Sequence, residues 1–508
     1  MATGTATIAR TRLALALAAD RAVAVQPAPL AGQVRARAHE AARPGRQRRL
    51  EPDWGSGNRI VGMDAKQLRD SARALCRDYD VAANGLAVLV QNTVGSGIDV
   101  MPAPRRAGGE VNRDLAQRLR DLWDAWWDAP EVTGQHDFGK CQQLLAASWF
   151  RDGEAFWQQL SGTVPGLQHG SAVPFSLELI EADLIPLDLT DPARGILQGV
   201  ERNAWGRVNA YHVYKHHPGD TISLSLETKR VPAAQVRHLA RIDRIHQVRG
   251  LSVFAPVINR FRDIQDYENS ERIAAKVAAS FCAQIIKESD VGLASPLPDA
   301  AAALDRAYRS LTMVPGMIGD DLAPGEKIEI IDSKRPNPNV AAFVDGNLRR
   351  AAGGIGVSFS SLSLNYNGTY SAQRQELVEK YGAYAMLGEQ FVARVLRPVW
   401  AEFVQAAVLA GLVKVPAGWA PQDLCAAVYI RPQMPWIDPL KEVLAMGERV
   451  DRGWMSDQEA ILRGGNDPEE VARMRQDWLQ QGHAPAQNTI ADARAAVRGK
   501  AIEESLHA

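Results

Sequence analysis

The feature that most constrains the fold of this chain is a long segment without helix-breaking residues. Between residues 256 and 287 no Pro or Gly follows Pro256, and Val257, Phe261 and Ile264 recur at the spacing of one helix face. At a rise of 1.5 Å per residue, a helix of this length would span roughly 45 Å, which is longer than a compact core requires. We therefore expect one long amphipathic helix that connects separate parts of the molecule.

The size and composition of the chain predict a globular protein of several packed units. Its 508 residues exceed one ordinary core and favour two or three units. Hydrophobic residues make up 46% and charged residues 23%, which is typical of globular proteins. No apolar run reaches the roughly 20 residues that a membrane span needs, so we expect no membrane partner. The four cysteines, Cys76, Cys141, Cys282 and Cys425, are widely spaced, which favours reduced thiols.

The remaining hydrophobic pattern predicts an α+β fold that is mainly helical. Helical spacing begins at Asp64 and lasts until Gly95, and a second helix is expected at 111–127. The segment from 173 to 231 is predicted to be rich in strands, at 175–180, 210–214 and 221–226.

Helix signals also organise the second half of the chain. A helix is expected near 340–352, and after a polar loop Ser371 is predicted to cap a second long helix that Pro398 kinks or ends. Asp438-Pro439, a capping box from Ser456 to Glu459, and Asp467-Pro468 are predicted to open three closing helices.

The N-terminal arm is rich in Ala and Arg, contains few acidic residues up to residue 50, and is predicted to lack a fold of its own. It is either a contact for nucleic acid or a partner, or a solvated tail, and the tail is the interpretation we favour. The composition beyond about residue 482 predicts fraying at the C-terminus.

Charge and motifs argue against most enzymatic classes. With 58 Lys and Arg against 59 Asp and Glu, the chain lacks the basic excess of a protein that grips phosphates tightly. It contains no GxxxxGK[ST], HExxH or GxSxG sequence, and the glycines at 353, 354 and 356 do not have the GxGxxG spacing. We therefore expect no catalytic residues and no cofactor.

Two further groups of residues have an alternative functional interpretation. His212 and His216 share a face in HVYKHH but would lie roughly 13 Å apart along a strand, so we expect no metal site. The tryptophans at positions 123, 126, 127, 149 and 157 are able to stack on bases, yet helical spacing favours a core role.

Several segments, in one order along the chain, carry a family resemblance. They are LCRDYDVAANGLAVLVQNTVGSG at 75–97, IHQVRGLSVFA at 245–255, MVPGMIGDDLAPGEKIEI at 313–330 and LRRAAGGIGVSFSSLSLNYNGTYSAQR at 348–374. Together they resemble the lambda-type portal proteins of tailed bacteriophages. The matching residues are Gln247, Arg249, Gly250, Ser252, Pro324, Gly325, Glu326, Gly356, Tyr370, Ser371 and Arg374.

The resemblance implies a portal fold assembled as a ring. In order, it implies a flexible basic arm (1–63), a wing (64–255), a stem helix (256–287), a clip (288–338), a second stem helix (339–356), a tunnel loop (357–370), a wing return helix (371–430), a helical crown (431–482) and a flexible tail (483–508). Ser363, Asn365, Tyr366 and Asn367 would face DNA in the tunnel loop and offer it uncharged hydrogen-bonding groups.

The function that the resemblance implies is a channel at one capsid vertex. About 12 subunits would form a closed ring through which double-stranded DNA is packaged and ejected without sequence preference. The implied partners are the terminase large subunit, the major capsid and scaffolding proteins and a head-tail adaptor, in the virion and, during assembly, in the host cytoplasm. The alternatives are a ring-forming head-tail adaptor or minor capsid protein, and an enzyme acting on nucleic acid.

Overall fold

The computed structural model describes residues 55–220, 226–280, 284–287, 326–329, 339–433 and 439–481. Most of the predicted arm, the greater part of the predicted clip, including Pro324 and Gly325, and the predicted tail at 483–508 lie outside the described residues. Within these limits the fold is mainly helical with small antiparallel sheets, in agreement with the predicted α+β class.

Two consecutive helices open the described chain. Helix α1 spans Gly57–Asp78 and is capped by Ser56, whose Oγ accepts a hydrogen bond from the Arg59 amide at 3.2 Å. Helix α2 follows at Asp80–Thr93, after Tyr79 takes an extended conformation. The predicted arm of residues 1–63 therefore ends earlier than expected, because the Ser56 cap lets the helix start before its apolar stripe.

A tryptophan-rich core lies between the next two helices and the first sheet. Strand β1 covers Asp99–Pro102, α3 Arg113–Trp127 and α4 Phe138–Arg151. Trp123 and Trp126 are fully buried, with ring centroids 4.8 Å apart, and Trp126 Nε1 donates to the Phe175 carbonyl at 2.8 Å. Trp149 and Trp157 are also buried and Trp127 is partly buried, so the core interpretation of these residues is confirmed.

Two antiparallel sheets contain the strand-rich segment predicted at 173–231 and extend beyond it at both ends. The first has the order β3-β2-β8, with β2 at Glu154–Ser161, β3 at Phe175–Ile180 and β8 at Val236–Ala240. The second runs β4-β5-β6-β7. Its strands are Ile196–Leu197, Val200–Arg202, Val208–Tyr214 and Thr228–Pro232. The strand predicted at 221–226 lies outside the described residues except for Leu226.

The predicted long helix is present but shorter than expected. Helix α5 spans Ile258–Ser280, and Gln284–Lys287 forms strand β9, which pairs with β10 at Glu326–Glu329. The prediction that the stem helix reaches residue 287 is therefore wrong, because the helix ends at Ser280. The β-branched residues Ile285 and Ile286 suit a strand as well as a helix, and pairing with β10 decides the outcome.

Helix α6, at Val340–Ile355, runs antiparallel to α5. Val257 lies beside Gly354, whereas Tyr267, further along α5, contacts Phe343 with ring centroids 4.8 Å apart. The end of the pair that contains Phe261 and Ile264 is buried, and the end that contains Ile273 and Phe343 is exposed. The two helices therefore extend away from the core.

The predicted wing return helix of residues 371–430 is not a single helix. A short helix α7 at Phe359–Ser363 is followed by α8 at Tyr370–Phe391, a π-helical turn at Val392–Leu396 and α9 at Arg397–Leu409. Pro398 has no amide hydrogen and crowds the preceding turn, which would ordinarily kink or end a helix. The wider π-helical turn lies directly before Pro398, and the chain stays helical through it. The chain then forms α10 at Pro421–Leu424 and β11 at Ala427–Ile430, which pairs with β1.

Three helices end the described chain. They are α11 at Pro439–Asp451, α12 at Asp457–Arg463 and α13 at Pro468–Gln480. Ser456 Oγ accepts from the Glu459 amide at 3.1 Å and Asp467 Oδ1 accepts from the Glu469 amide at 2.8 Å, as the capping signals predict. None of the helices in the described ranges is both long and apolar enough to cross a membrane.

Candidate functional site

The segment 357–370, predicted as a loop, contains a helix and a turn. The Ser358 hydroxyl accepts from the Ser361 amide at 3.1 Å and starts α7. The chain leaves α7 through Leu364, whose φ of 54° lies in the left-handed region. Tyr370 already belongs to α8. The loop itself is therefore limited to residues 364–369, because serine capping makes part of the polar segment helical.

The four candidate DNA-facing residues differ in their exposure. Tyr366 is 60% exposed and Asn367 is exposed. Asn365 is half-buried and its Oδ1 accepts from the Asn367 amide at 3.1 Å. Ser363 lies in α7 rather than in the loop, and its hydroxyl donates to the Phe359 carbonyl at 2.8 Å. Tyr366 and Asn367 are thus the two side chains most available to an outside molecule.

Helix α7 is bonded to neighbouring helices at both of its ends. At the N-terminal end, Glu376 of α8 accepts from the Phe359 amide and the Ser360 hydroxyl, each at 2.6 Å. At the C-terminal end, Asn84 of α2 donates to the carbonyls of Ser361 and Leu362 at 2.8 and 2.9 Å. The loop that follows α7 therefore starts from a fixed point.

Gly356 ends the helix before this segment. Its φ of 85° is in the left-handed region, and its amide donates to the Ala352 carbonyl at 2.9 Å. Glycine adopts this conformation without the clash that a Cβ atom causes, so it is the residue of choice at a helix C-terminus.

The residues at 247–252 surround a buried carboxylate, Glu154 of β2. The guanidinium of Arg249, which is fully buried, donates to both Glu154 oxygens at 2.7–3.0 Å and also to the carbonyls of Ile185 and Gln198. Arg69 of α1 donates to the same carboxylate at 2.8 Å. We call Glu154, Arg249, Arg69 and His238 the Glu154 cluster.

Backbone geometry around this cluster requires glycine. The Gly250 amide donates to Glu154 Oε2 at 3.1 Å, and a Cβ at this position would lie 2.0 Å from the Gly153 carbonyl oxygen. Gln247 accepts from the amides of Asp243 and Arg244 and donates to the Arg249 carbonyl at 2.8 Å. These contacts hold the segment in the shape that brings Arg249 to Glu154.

Ser252 has a local capping role. It is buried, and its hydroxyl accepts from the Phe254 amide at 3.1 Å just before α5 begins. The four family residues between 247 and 252 therefore act within the protein rather than at its surface.

The charges of the cluster determine how Glu154 titrates. Burial opposes its ionisation, but the charge and hydrogen bonds of Arg249, the hydrogen bond of His238 and the charge of Arg69 outweigh burial, so the pKa of Glu154 is held well below its ordinary value. Burial lowers the pKa of His238, although its Nε2 lies 3.1 Å from Glu154 Oε2. Glu154 is therefore a structural anion at neutral pH.

The other family residues lie apart from this cluster. Glu326 begins β10, opposite Lys287 of β9. Ser371 and Arg374 are exposed on the first turns of α8. Thr369, rather than Ser371, caps α8, because its hydroxyl accepts from the Ala372 amide at 3.4 Å. The predicted cap at Ser371 is wrong by two residues.

One group in the described ranges has the spacing of metal ligands. Glu181, Asp183 and His217 offer atoms within 4.8 Å of one another. Asp183, however, is bonded to Arg69 at 3.3 Å and to Arg73 at 2.6 Å. Because these two cations already neutralise the carboxylate, we interpret the group as part of an ion-pair network.

Sequence reasoning missed Glu154, Glu376 and Asn84. For Glu154 a signal was present, since an acidic residue followed by AFW after Gly153 suggests a carboxylate at the start of a buried strand. Glu376 and Asn84 lie on ordinary helical segments, and only their long-range contacts distinguish them.

Comparison with known proteins agrees with the motif resemblance. Residues 43–387 match the family described as phage portal protein, lambda family. The chain belongs to the lambda family of phage portal proteins. The match covers the Glu154 cluster, the α5–α6 pair, α7 and most of α8, so the predicted family is confirmed. The chain is therefore a bacteriophage portal protein, a structural protein of the virion.

Individual portal proteins are similar to this chain over most or half of its length. A probable portal protein of Halomonas phage phiHAP-1 is 25% identical over 444 residues, covering 84% of this chain and 83% of the relative. Portal protein B of Escherichia phage lambda is 24% identical over 312 residues, covering 56% of this chain and 58% of its own length.

Solved structures give a distant fold similarity. A chain from the virion of a native gene transfer agent particle has a TM-score of 0.43 and 14% identity, covering 82% of this chain and 100% of that chain. A HK97 family portal protein from Corynebacterium diphtheriae has a TM-score of 0.30 and 12% identity, covering 60% of this chain and 84% of that chain.

Proposed function

We propose that this portal protein forms a closed ring of about 12 copies at one capsid vertex, and that double-stranded DNA enters and leaves the capsid through the ring. The number of copies is the one that the family resemblance implies. In this proposal residues 64–255 form the wing, α5 and α6 the stem, residues 288–338 the clip, residues 364–369 the tunnel loop and α11–α13 the crown.

The observation that carries the proposal is the exposed end of the α5–α6 pair. Ile273 is 62% exposed and Phe343 is 53% exposed, although both are large apolar side chains on helices that extend from the core. Apolar side chains in such a position are stabilised when a second copy of the same helices covers them. A heterologous contact closes into a ring when the rotation between neighbouring copies divides a full turn, and this is the geometry that we propose.

The tunnel loop has the chemistry of a weak DNA contact. Between Arg350 and Arg374 the sequence contains no charged residue, so the exposed Tyr366 and Asn367 offer only uncharged donors and acceptors. Such groups bind phosphate oxygens without reading sequence and without the counterion release that makes basic surfaces bind tightly. DNA is therefore able to slide past them.

The proposal includes partners for assembly. The ring would bind the terminase large subunit during packaging, the major capsid and scaffolding proteins around its wing, and a head-tail adaptor after packaging. It would be located at the portal vertex of the virion, and in the host cytoplasm while the capsid assembles.

The ring is tested by native mass spectrometry and negative-stain imaging of the purified full-length chain. Twelve chains of 55.4 kDa should give about 665 kDa and a ring with a central hole. A stable monomer or dimer at every salt concentration would contradict the proposal and favour the nucleic-acid enzyme. Capsids that fill normally without this protein would favour an adaptor or minor capsid protein.

The loop is tested by changing its charge in assembling particles. Asn367→Lys should slow DNA movement, because the added positive charge attracts phosphate. Asn367→Asp should weaken DNA retention, because the added negative charge repels phosphate. The length of packaged DNA and its leakage on heating measure both effects. Equal packaging and retention by wild type and both variants would contradict a DNA-facing loop.

A further inference from the structure

The position of the tunnel loop depends on a helix that is too short to be stable alone. Helix α7 has five residues, Phe359–Ser363, and an isolated helix of this length does not form in water. Since residue 364 follows it directly, whatever holds α7 in place also determines where Tyr366 and Asn367 are presented.

The N-terminal end of α7 is held by one carboxylate from another helix. Both oxygens of Glu376 accept hydrogen bonds, one from the Phe359 amide and one from the Ser360 hydroxyl. The first amides of a helix have no partner within the helix, and its N-terminus favours a negative charge. Glu376 is half-buried, so these bonds are partly protected from water.

The C-terminal end of α7 is held by a side-chain amide from a third helix. Asn84 Nδ2 donates to the carbonyls of Ser361 and Leu362, which belong to the last turn of α7 and lack partners within the helix. The adjacent Gly85 allows a close approach, since a Cβ there would lie 3.1 Å from the Leu362 side chain. Leu362 itself is buried.

We infer that Glu376 and Asn84 are positioning residues for the DNA-facing loop. They bind opposite ends of α7, and together they fix the point from which residues 364–369 start. The inference rests on the proposed DNA-facing role of the loop and deepens it. Neither residue is assigned a contact with DNA.

The inference is tested first without DNA, by hydrogen exchange in the intact purified protein. Glu376→Ala and Asn84→Ala should each make the amides of residues 359–369 exchange roughly tenfold faster, because each change removes two hydrogen bonds. The amides of α9, at Arg397–Leu409, should be unaffected.

Matched controls are available on the same helices. Glu379 is exposed on α8, and Asn92 of α2 donates to the Val88 carbonyl of its own helix. Glu379→Ala and Asn92→Ala should leave exchange at 359–369 unchanged. Unchanged exchange in Glu376→Ala and Asn84→Ala as well would overturn the inference.

A conservative variant separates positioning from general instability. Gln at position 376 still accepts from the Phe359 amide and donates to the Ser360 hydroxyl, so Glu376→Gln should restore most of the protection that Glu376→Ala loses. Equal exchange in the two variants would contradict the hydrogen-bonding basis of the inference.

The consequence for DNA is measured in assembled particles. Glu376→Ala rings should assemble but lose DNA on heating at lower temperature than wild type, whereas Glu376→Gln should behave as wild type. Normal retention in Glu376→Ala particles with fast exchange at 359–369 would contradict the positioning role. Failure of the DNA-facing proposal is distinguished from this result by the Asn367 variants, which change charge without changing α7.

Discussion

Glu154 and Arg249 are 95 residues apart in the sequence and share one buried site. A carboxylate without water is costly unless cations and donors replace the lost hydration, and here Arg249, Arg69, His238 and the Gly250 amide do so. At the scale of single residues, the family motif at 247–252 therefore supplies the cation and the backbone amide that make burial of the Glu154 carboxylate possible.

Gly250→Ala should destabilise the protein by about 3 kcal/mol or more, because the added Cβ would overlap the Gly153 carbonyl oxygen and force the backbone to move. Urea unfolding measures the change. Gly382→Ala is the matched control, since a Cβ at this position in α8 meets nothing within 4 Å, and it should stabilise by about 0.5–1 kcal/mol. Equal effects of the two substitutions would refute the steric argument.

Glu154→Gln should cost about 3–5 kcal/mol at pH 7, because it leaves Arg249 buried without a counter-charge and leaves Arg69 with Asp183 alone. Since the pKa of Glu154 is held below its ordinary 4.5, its stabilisation is complete above that value and is lost as the pH falls toward the lowered pKa. The difference between wild type and variant should therefore shrink by about 2 kcal/mol at pH 3.

Unfolding by urea at pH 7 and pH 3 checks this prediction. Glu178→Gln, on the exposed face of the neighbouring strand β3, is the control and should have little effect at either pH. A difference between wild type and Glu154→Gln that does not depend on pH would show that the charge of Glu154 does not stabilise the fold.

At the scale of helices and strands, most local signals identified helices correctly, although the cap predicted at Ser371 lies at Thr369. The apolar spacing from Val257, the Ser456 cap and the Asp467 cap each identified a helix, because these signals act within one or two turns. Strand β2 was missed because its residues Glu154–Gln159 are buried on both faces, so the alternation that marks a half-buried strand is absent.

The candidate site was predictable only in part for the same reason. The polar, uncharged character of the loop is visible in the sequence. The serine cap that shortens the loop is a local feature, but the bonds of Glu376 and Asn84 depend on residues 16 to 278 positions away. The periodicity of hydrophobic residues in a sequence does not predict hydrogen bonds between residues so far apart.

The shifted cap of α8 gives a test at this scale. Thr369→Ala should cost about 1 kcal/mol and increase hydrogen exchange in the first turn of α8, because the Ala372 amide loses its acceptor. Ser371→Ala should change the free energy of unfolding little, since Ser371 is exposed within the helix. A larger loss of stability in Ser371→Ala than in Thr369→Ala would show that Ser371 caps the helix, as the sequence alone predicted.

At the scale of the whole molecule, the exposed end of the α5–α6 pair carries two large apolar side chains, Phe343 and Ile273, on helices that extend from the core. Phe343 is 53% exposed even though the Tyr267 ring packs against it, and Ile273 is 62% exposed. If copies of the chain cover these side chains in a ring, their loss should weaken assembly more than folding.

Phe343→Ser should lower the fraction of chains found in rings at micromolar concentration, with little change in the thermal unfolding of the free subunit. Native mass spectrometry across a dilution series measures the fraction. Trp205→Ser is the control, because Trp205 is 86% exposed in the turn between β5 and β6 and lies outside the helix pair. Rings that survive dilution equally in all three proteins would exclude Phe343 from the subunit contact.

The Glu154 cluster also limits when the chain can fold during its synthesis. Arg69 and Glu154 leave the ribosome early, but the cation that binds both Glu154 oxygens is Arg249, so the carboxylate cannot be fully neutralised until that residue has emerged. Translation must therefore proceed about a hundred residues beyond Glu154 before β2 can be buried in its final surroundings. A nascent chain that stalls before residue 249 would hold a sheet with an incompletely neutralised interior charge, and such a chain is a natural substrate for chaperones and proteases.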